Sequence, residues 1–504
     1  MAITISTRRQ LFLDDRFIDI NEDVVQRMNR PRLVDVALAP GPEGSPDDAM
    51  VGAYGQVEED GGIFKMWVNA RAAQVLMANP ETGAGRHAIP TQLATSTDGI
   101  HWERPCFNVI DWDGSCANNL VCPDWGLVLI DPIAPPDARY KLLHTGQVAL
   151  GARNVQESMD PRIGGLYFYT SPDGIHWTFN PTRVFDLYPD CLNQVIYDTR
   201  LEKYVAYLRS WPDGCLRNRA HGRTISRIEI DNLMEPWPYT PLDTPRYLWG
   251  KDKIAAISKE LPVVMAYPGY TEEGCWTDIY DPHVVQYRWA ENAYFAFPEL
   301  NHQRLESTIP NHRVVDIGMC FSHDGMTWTW PSTDPYIPLE EQGHGRGGML
   351  YNLTGMLRVG DEIYQYHMAT DIEHHGQVGE VYGYNGLLNT GRIYRTVQRL
   401  DGFVSLDFPE AGGTIVTPPL EYSGSRLVLN VDAGNGEGRV ELRSADGTPL
   451  PGFTFADCDP IYDDATARVI TWHGTADITK FHQEGIRCAW HFFNAKLYAW
   501  QIAE

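Results

Sequence analysis

The sequence lacks the features that would put the protein in a membrane, in a disulfide-stapled scaffold or on a polyanion. No run of 18 or more apolar residues occurs, so no membrane-spanning helix is expected. The nine cysteines are scattered without C-x-x-C pairs, which argues against a disulfide framework or a structural zinc site. Positive charge is scarce, with 41 Lys and Arg against 66 Asp and Glu. The resulting net charge of −25 disfavours nucleic acid and anionic membranes as partners.

The first residues also lack a charged-then-apolar leader pattern. We therefore expect a cytoplasmic location, or secretion with a leader that this sequence does not include. Segments with helical periodicity are nearly absent, whereas 15 Trp and 25 Tyr exceed what β-hairpin packing requires. Because aromatic rings suit the apolar faces of sugars, this composition favours a carbohydrate partner. Composition leaves the oligomeric state open.

Three near-identical heptapeptides of the form Ser-x-Asp-Gly-x-x-Trp recur along the chain, at 96–102, 171–177 and 322–328. Each is typical of a hairpin turn, because Asp accepts hydrogen bonds from turn N–H groups and Gly tolerates the left-handed conformation. Their aspartates are therefore predicted to be structural and not catalytic. The first interval is about 75 residues and the second almost twice that, which indicates one decayed copy.

Two further degenerate copies, at 222–237 and 391–403, bring the series to five members, and one strand-like run precedes each member. Two independent markers therefore predict five blades of a β-propeller. The predicted fold class is all-β: a five-bladed β-propeller followed by a C-terminal β-sandwich. The predicted domains are an N-terminal strand segment packed on the propeller (1–30), the propeller (31–405) and the β-sandwich (406–504). The five runs are 64–67, 140–143, 204–207, 294–297 and 364–367.

Polar residues gather at the predicted start of the first strand in four blades of five, and these starts face the central channel. Channel walls need no charged groups for stability, and crowded carboxylates repel one another, so the clustering predicts a functional site. The start residues are Asp47 and Asp48 in blade one, Asn119 in blade two, Asp190 and Asn193 in blade three, Asp278, Asp281 and His283 in blade four, and Arg346 to Asn352 in blade five.

The loops between second and third strands bring further polar residues to the same end of the channel. Asp131, in contrast, aligns with Asp60 and Asp198 in the turn at the opposite end, and we expect it to be a turn residue. The predicted substrate-binding residues are Asp47, Asn119, Asn193, Arg209, Trp211, Asp278, Asp281, His302, Glu373 and His374.

These features resemble the five-bladed propeller glycoside hydrolases, the group that contains families 32, 43, 62 and 68. The resemblance covers roughly residues 31–405 and rests on repeat length, blade number and the Asp-Gly turns. It implies an Asp nucleophile or base on the first inner strand, a second Asp that orients the sugar, and a Glu acid from a later blade. Asp48 (or Asp47), Asp190 and Glu306 match these catalytic roles by position, with Glu373 as the alternative acid. The regular family 32 motifs are absent, so the chain would be an atypical member.

The predicted function is a glycoside hydrolase that cleaves an oligo- or polysaccharide with paired carboxylates at the channel mouth. The alternatives are a non-catalytic propeller that binds carbohydrate or protein, and a lyase or phosphorylase on the same scaffold. No cofactor is expected; calcium is the weaker alternative, with His283 and His375 as metal ligands. A sialidase fits the negative charge poorly, and only Arg209, Arg304 and Arg346 favour it.

Overall fold

The structure is a computed structural model that describes residues 2–76, 89–145, 149–151, 163–186, 192–210, 222–238, 261–268, 277–304, 312–374 and 386–504. These residues are almost entirely β-strand and loop, which confirms the predicted all-β class. Helical segments are short: Ala73–Leu76 is an α-helix, and Asp15–Phe17, Pro136–Ala138 and Thr479–Phe481 are 3₁₀-helices. None of the helices in the described ranges is long and apolar enough to cross a membrane.

Three four-stranded antiparallel sheets follow one another along the chain, and each keeps its strands in chain order. We call them repeats 1, 2 and 3. This order arises because each connection returns the chain beside the strand that it has just left. Repeat 1 contains Met50–Asp60, Ile63–Arg71, Thr91–Ser96 and Leu120–Cys122; repeat 2 contains Leu127–Ile130, Tyr140–His144, Leu166–Ser171 and Thr178–Phe185; repeat 3 contains Gln194–Asp198, Lys203–Ser210, Thr224–Ile230 and Val263–Met265.

Repeats 4 and 5 are less regular. In repeat 4, breaks in each long strand separate Thr277–Ile279, Glu299–Gln303 and Arg313–Ile317 from Val284–Gln286, Tyr294–Ala296 and Cys320–Ser322. Repeat 5 contains Met349–Asn352, Leu357–Val359, Glu362–Thr370 and Arg392–Arg399. Its outer strand is Arg32–Leu38, which pairs antiparallel with Arg392–Arg399. An N-terminal strand therefore completes the last repeat.

Asp98, Asp173 and Asp324 hold the three Asp-Gly turns. Oδ1 of each aspartate accepts the backbone N–H groups two and three residues further on, at 2.8 to 2.9 Å. The glycine that follows each aspartate has φ between 72° and 78°, the left-handed region that glycine adopts at no steric cost. The predicted structural role of these aspartates is confirmed.

The carbonyl of each such glycine accepts a hydrogen bond from an aromatic side chain of the preceding repeat. The third of these bonds runs from repeat 5 to repeat 1, so the contacts between repeats return to their start. The pairs are Trp67 Nε1 with Gly174 O (2.9 Å), Tyr207 Oη with Gly325 O (2.9 Å), and Tyr366 Oη with Gly99 O (2.5 Å).

The first strands of all five repeats, or the residues that continue them, line one cavity of about 650 Å³. Each repeat contributes at least one lining residue: Gln56, Val128, Gln194, Val284 and Thr354. The cavity therefore marks a common axis of the repeats. We call the end of this axis at which the first strands begin the front end, and the end at which they turn into the second strands the back end. The cavity lies toward the back end, because Glu58, Glu59 and Tyr197, at the ends of first strands, line it.

The remaining strands form two sheets that share one apolar core. One contains Asp464–Val469, Arg426–Asp432, Ala495–Ala503, Val404–Phe408, Val25–Met28 and Gln10–Leu11. The other contains Ile20–Glu22, Gly413–Val416, Arg487–Phe493 and Glu437–Arg443, and a separate pair joins Ile3–Thr4 to Leu420–Glu421.

The first thirty residues pair with strands from the other end of the chain. The sequence predicts only that they lie on the repeats, and Leu11 and Leu13 do contact the core of repeats 4 and 5. The pairing itself has no local signal, because register across hundreds of residues is set by the folded sheets and not by the strand sequence.

Candidate functional site

Aromatic rings from four repeats meet at the front end. Tyr54 of repeat 1 stacks on Trp125 of repeat 2, with ring centroids 4.6 Å apart. Tyr351 of repeat 5 lies edge-on to both Tyr54 and Tyr280, each at 6.0 Å. The Tyr280 hydroxyl is 3.3 Å from Nε2 of His374, one of the predicted substrate-binding residues. Rings grouped in this way suit the apolar face of a sugar.

The backbone is strained beside these rings. Ala53 has φ of +117° and His283 has φ of +46°, values that side-chain-bearing residues rarely adopt. The strain at Ala53 belongs to a register shift between Val51 and Gly55 in the first strand of repeat 1. Such conformations persist only where the surroundings hold them, and they cluster at functional sites.

Arg209 joins two other predicted substrate-binding residues, Asn193 and Asp281. Its guanidinium donates through Nε to the Tyr280 carbonyl at 3.0 Å and through an amino group to Asp281 Oδ1 at 3.1 Å. Its backbone N–H donates to Asn193 Oδ1 at 3.2 Å. The guanidinium carbon also lies 4.2 Å from the centre of the Tyr280 ring. Asn193, Arg209 and Asp281 are therefore brought together around a buried ion pair, and their role in substrate binding stays a prediction.

Asp281, His283 and Glu299 form a carboxylate–imidazole cluster, in which one ligand atom of each residue lies within 4.8 Å of the others. Nε2 of His283 is 3.0 Å from Glu299 Oε1, which also accepts the Asn352 N–H at 2.9 Å. Nδ1 of His283 is 2.8 Å from Thr354 Oγ1. All three members of the cluster are fully buried, at 0% exposure. Within the described ranges, Glu299 Oε2 has no hydrogen-bond partner.

Burial controls the protonation of this cluster. It raises the pKa of Glu299 well above the usual range, against the opposing effects of the Asn352 N–H and Arg209. It lowers the pKa of His283 to about 4. Burial thus favours the protonated form of Glu299 and the neutral form of His283, while Asp281 faces the Arg209 guanidinium.

The same three residues could hold a metal ion. An imidazole nitrogen with two carboxylates suits manganese, iron or zinc, whereas calcium prefers oxygen ligands alone. The Arg209 guanidinium bonded to Asp281 would oppose a cation at this position.

Asp278 lies at the front end but is paired with two arginines. Arg223 and Arg313 approach its carboxylate to 3.0 and 3.5 Å. Burial by itself would raise the pKa of Asp278, but the two guanidiniums outweigh that effect and lower it. Asp278 is therefore ionised, and it fixes the two guanidiniums next to Tyr280, whose ring centre lies 5.2 Å from Arg223.

Asp47 and Asp48 are buried at the start of repeat 1 and hold its loops. Asp48 accepts the backbone N–H groups of Ala73 and Gly44, one on each oxygen, at 2.7 and 2.9 Å. Asp47 pairs with Arg104 at 2.9 Å. The catalytic role of Asp48 stays a prediction.

The predicted position of Asn119 at the start of blade two is wrong. Asn119 directly precedes Leu120–Cys122, the fourth strand of repeat 1, and its amide donates to the Leu93 carbonyl at 3.0 Å. The first strand of repeat 2 begins only at Leu127. The error arises because the connection between Leu120–Cys122 and Leu127–Ile130 is so short that the sequence pattern does not separate the two strands.

His302 and Glu373 are both engaged with other side chains. His302 bridges Thr277 and Asp316, at 2.8 and 2.9 Å. Glu373 accepts both Nε and an amino group of Arg304, at 3.3 and 2.6 Å. The Arg304 guanidinium thus contacts both oxygens of Glu373, the residue considered as the alternative acid.

Four predicted site residues lie outside the described residues: Asp190, Trp211, Glu306 and His375. The catalytic roles of Asp190 and Glu306 therefore stay predictions.

Sequence reasoning missed Glu299. It follows the apolar run 294–297 and Pro298, and it alternates with Asn301 along a strand in which both side chains are fully buried. Polar residues at alternating positions of a buried strand share one face, and that pattern is the signal that could have found it.

No protein-family model matches the sequence, and no curated protein matches it. Similar solved structures include a glycoside hydrolase family 43 arabinoxylan arabinofuranohydrolase from Bacillus subtilis in complex with cellotetraose (13% identity, 92% of this chain and 98% of that chain, TM-score 0.37). They also include a glycosyl hydrolase from Bacteroides ovatus (13%, 78% and 97%, TM-score 0.40). A third is an N-acetylgalactosamine deacetylase from F. plautii in complex with blood group B trisaccharide (12%, 75% and 96%, TM-score 0.44). The solved structures that resemble the chain thus include glycoside hydrolases, one of them from family 43.

Proposed function

We propose that the protein is a glycoside hydrolase built on a five-bladed β-propeller (31–405), with a C-terminal β-sandwich (406–504), and that it cleaves an oligo- or polysaccharide at the front end. One observation carries the proposal: Asp281 and Glu299 are neighbouring carboxyl groups in unlike states. Burial raises the pKa of Glu299 and so favours its protonated form, whereas Asp281 faces a guanidinium, and the two carboxyl groups lie in one buried cluster. Hydrolysis of a glycosidic bond requires that combination of a proton donor and an ionised carboxylate.

In this mechanism Glu299 donates the proton to the leaving oxygen, and Asp281 faces the anomeric carbon. One ligand atom of each lies within 4.8 Å of the other, which is shorter than the separation of about 6.5 to 9.5 Å that accompanies inversion and so favours retention of configuration. Arg209 pairs with Asp281 and holds it in place, and His283 orients Glu299 through Oε1. Because both carboxyl groups are fully buried, substrate binding must displace neighbouring side chains to reach them.

The residues predicted from the sequence form the competing assignment, with Asp48 and Asp190 as the carboxylates and Glu306 as the acid. Asp48 has both oxygens occupied by backbone N–H groups, which favours a structural role for it. We therefore rank Asp281 and Glu299 first and keep Asp190 and Glu306 as the alternative pair.

The test is a screen of aryl glycosides and plant oligosaccharides with wild type and matched variants. We expect at least one glycoside to be hydrolysed, and Asp281→Asn and Glu299→Gln to lose more than about 100-fold in kcat, as for removal of a general acid or base. Asp198→Asn makes the same change at a buried carboxylate of the back end and should keep activity. Asp190→Asn and Glu306→Gln, measured in the same series, decide between the two pairs. Hydrolysis that survives all four of these changes would refute the assignment.

A metal-dependent hydrolase is the second candidate, favoured by the buried Glu299 Oε2 atom without a partner in the described part of the chain. Asp281, His283 and Glu299 would hold the ion, which would supply charge stabilisation at the scissile bond. Elemental analysis of the purified protein is expected to find less than stoichiometric metal if the carboxyl pair acts alone. One bound ion per chain that is lost in His283→Ala would favour the metal.

A further inference from the structure

A second cavity, of about 380 Å³, opens at the front end between repeat 5 and repeat 1. The backbone N–H of Asn389 donates to the Asp48 carbonyl, and that of Thr390 to the Ala49 carbonyl, each at 2.8 Å. The cavity therefore adjoins the start of the first strand of repeat 1. Neither the carboxyl pair nor the back-end cavity includes any of its lining residues.

Asp371 is the carboxylate in the lining, and backbone groups satisfy it. Its two oxygens accept the N–H groups of Gly343, Gly345 and Gly347 at 3.1, 2.8 and 2.8 Å. The side chain is thus directed at the glycine-rich loop that it holds. The Asp371 carboxylate therefore provides no counter-charge for the cations that line the cavity.

Arg392 is the cation that lines the cavity. Its Nε donates to Asn389 Oδ1 at 3.3 Å, and across the described ranges no carboxylate comes within ion-pairing distance of it. Arg209, Arg304 and Arg346, the arginines that favour an anionic ligand in the sequence, each pair with a carboxylate instead. Arg392 is partly exposed, and a guanidinium that faces the cavity without such a partner is free to pair with a ligand that carries a negative charge.

Tyr394 adds a hydroxyl group to the same lining. Its Oη makes no hydrogen bond within the described residues, and a Cβ placed on Gly345 would lie 3.4 Å from it. Gly345 has φ of +84°, so the absence of a side chain there keeps the approach to the hydroxyl open. The cavity thus presents a guanidinium, a phenol hydroxyl and the exposed imidazole of His344.

We propose that this cavity binds the carboxylate of an acidic sugar residue, a uronate, with Arg392 as its partner and Tyr394 donating to the carboxylate or to a ring hydroxyl. The planar fork of a guanidinium matches a carboxylate through two parallel hydrogen bonds. One unpaired arginine balances the single charge of a carboxylate better than the double charge of phosphate. The proposal rests on the proposed function, since it makes the uronate a residue of the polysaccharide bound beside the cleavage site. Binding itself does not require hydrolysis.

The test is calorimetric titration of the full chain with D-galacturonate and D-glucuronate. Acetate, D-galactose, D-glucose and inorganic phosphate are the separate arms that distinguish a uronate from a simple anion or a neutral sugar. We expect one uronate to bind at least about tenfold more tightly than each of these. Arg392→Gln should weaken it about 10- to 100-fold, as for loss of a hydrogen bond to a charged group. Arg358→Gln, which changes an exposed arginine of the same repeat, should leave it unchanged.

Equal binding of acetate, phosphate or the neutral sugars would overturn the proposal, and so would undiminished uronate binding by Arg392→Gln. If that variant does not fold, Arg392→Lys and Tyr394→Phe replace it, and each should weaken uronate binding relative to wild type. Unchanged binding by both would equally overturn it. Uronate binding without hydrolysis of any glycoside would refute only the proposed function, whereas hydrolysis without uronate binding would refute only this inference.

Discussion

The back end and the front end of the repeats use polar side chains in opposite ways. At the back end one contact recurs: an Asp at the end of the first strand accepts the hydroxyl of the Tyr that opens the second strand of the next repeat. At the front end each repeat contributes different residues, and strained backbone and carboxyl groups gather there. The recurring pairs are Asp60 with Tyr140, Asp131 with Tyr204 and Asp198 with Tyr294. Recurring polar residues thus assemble the repeats, and the residues that do not recur are where function is expected.

Breaking a back-end contact should have the largest effect on stability and none on the chemistry. Asp131→Ala leaves the buried Lys141 ammonium, now 2.5 Å from Asp131 Oδ2, without a counter-charge. We expect a loss of about 3–5 kcal/mol in the free energy of unfolding. Urea denaturation measures it, with Asp137→Ala at an exposed neighbouring position as the control. If the activity of the folded Asp131→Ala fell like that of Glu299→Gln, the division between the ends would fail.

On acidification, the buried His367 of repeat 5 should lower the free energy of unfolding at a higher pH than the back-end Asp60 does. Burial lowers the pKa of His367 to about 3, so the folded chain keeps this imidazole neutral while the unfolded chain binds a proton below pH 6.5. Stability should therefore fall as the pH drops through 6.5, by about 2 kcal/mol for this group between pH 6.5 and pH 5.

The back-end Asp60 also loses its contribution as the pH falls, but in a more acidic range than His367. Burial would raise its pKa, but Arg139, Lys65 and Tyr140 outweigh burial and lower it below 3.8, so its contribution is lost only in stronger acid. The free energy of unfolding, measured against pH, should be flatter between pH 6.5 and pH 5 in His367→Gln than in wild type. An identical slope in the two proteins would contradict the account.

Removal of one tyrosine hydroxyl should change stability or binding the least, and it compares the same small deletion at the back end and at the front end. Tyr204→Phe deletes the hydrogen bond of 2.8 Å to Asp131 but keeps the ring, so we expect about 1 kcal/mol of lost stability. Tyr462→Phe, at an exposed site, is the matched control and should change nothing. Tyr280→Phe makes the same deletion at the front end, where we expect weaker substrate binding with little change in unfolding. Thermal melts and KM values of the three variants measure this contrast. If Tyr204→Phe and Tyr280→Phe changed stability and KM alike, the contrast between the two ends would be refuted.

The recurrence also explains what could be predicted from the sequence. Asp131 was expected to be a turn residue because it aligns with Asp60 and Asp198, and it does follow the first strand of repeat 2 and accept the Ile133 N–H. The aspartates of the Asp-Gly turns were predicted on the same ground. A motif that recurs shows which of its residues the fold requires.

The front end offers no such internal alignment. Glu299 was missed because no other repeat has an equivalent carboxyl group, and Asn119 was misassigned because no second copy marks the strand boundary. The pairing of Arg32–Leu38 with repeat 5 joins distant segments and leaves no local pattern. The roles of Asp190 and Glu306 stay predictions that the variant series tests.

The most direct test of the central claim is a crystal structure of Glu299→Gln with an oligosaccharide that the wild type cleaves. The account predicts a sugar at the front end, with a ring against Tyr54 or Trp125 and the scissile bond beside Asp281. A sugar bound only in the back-end cavity of about 650 Å³ would contradict it.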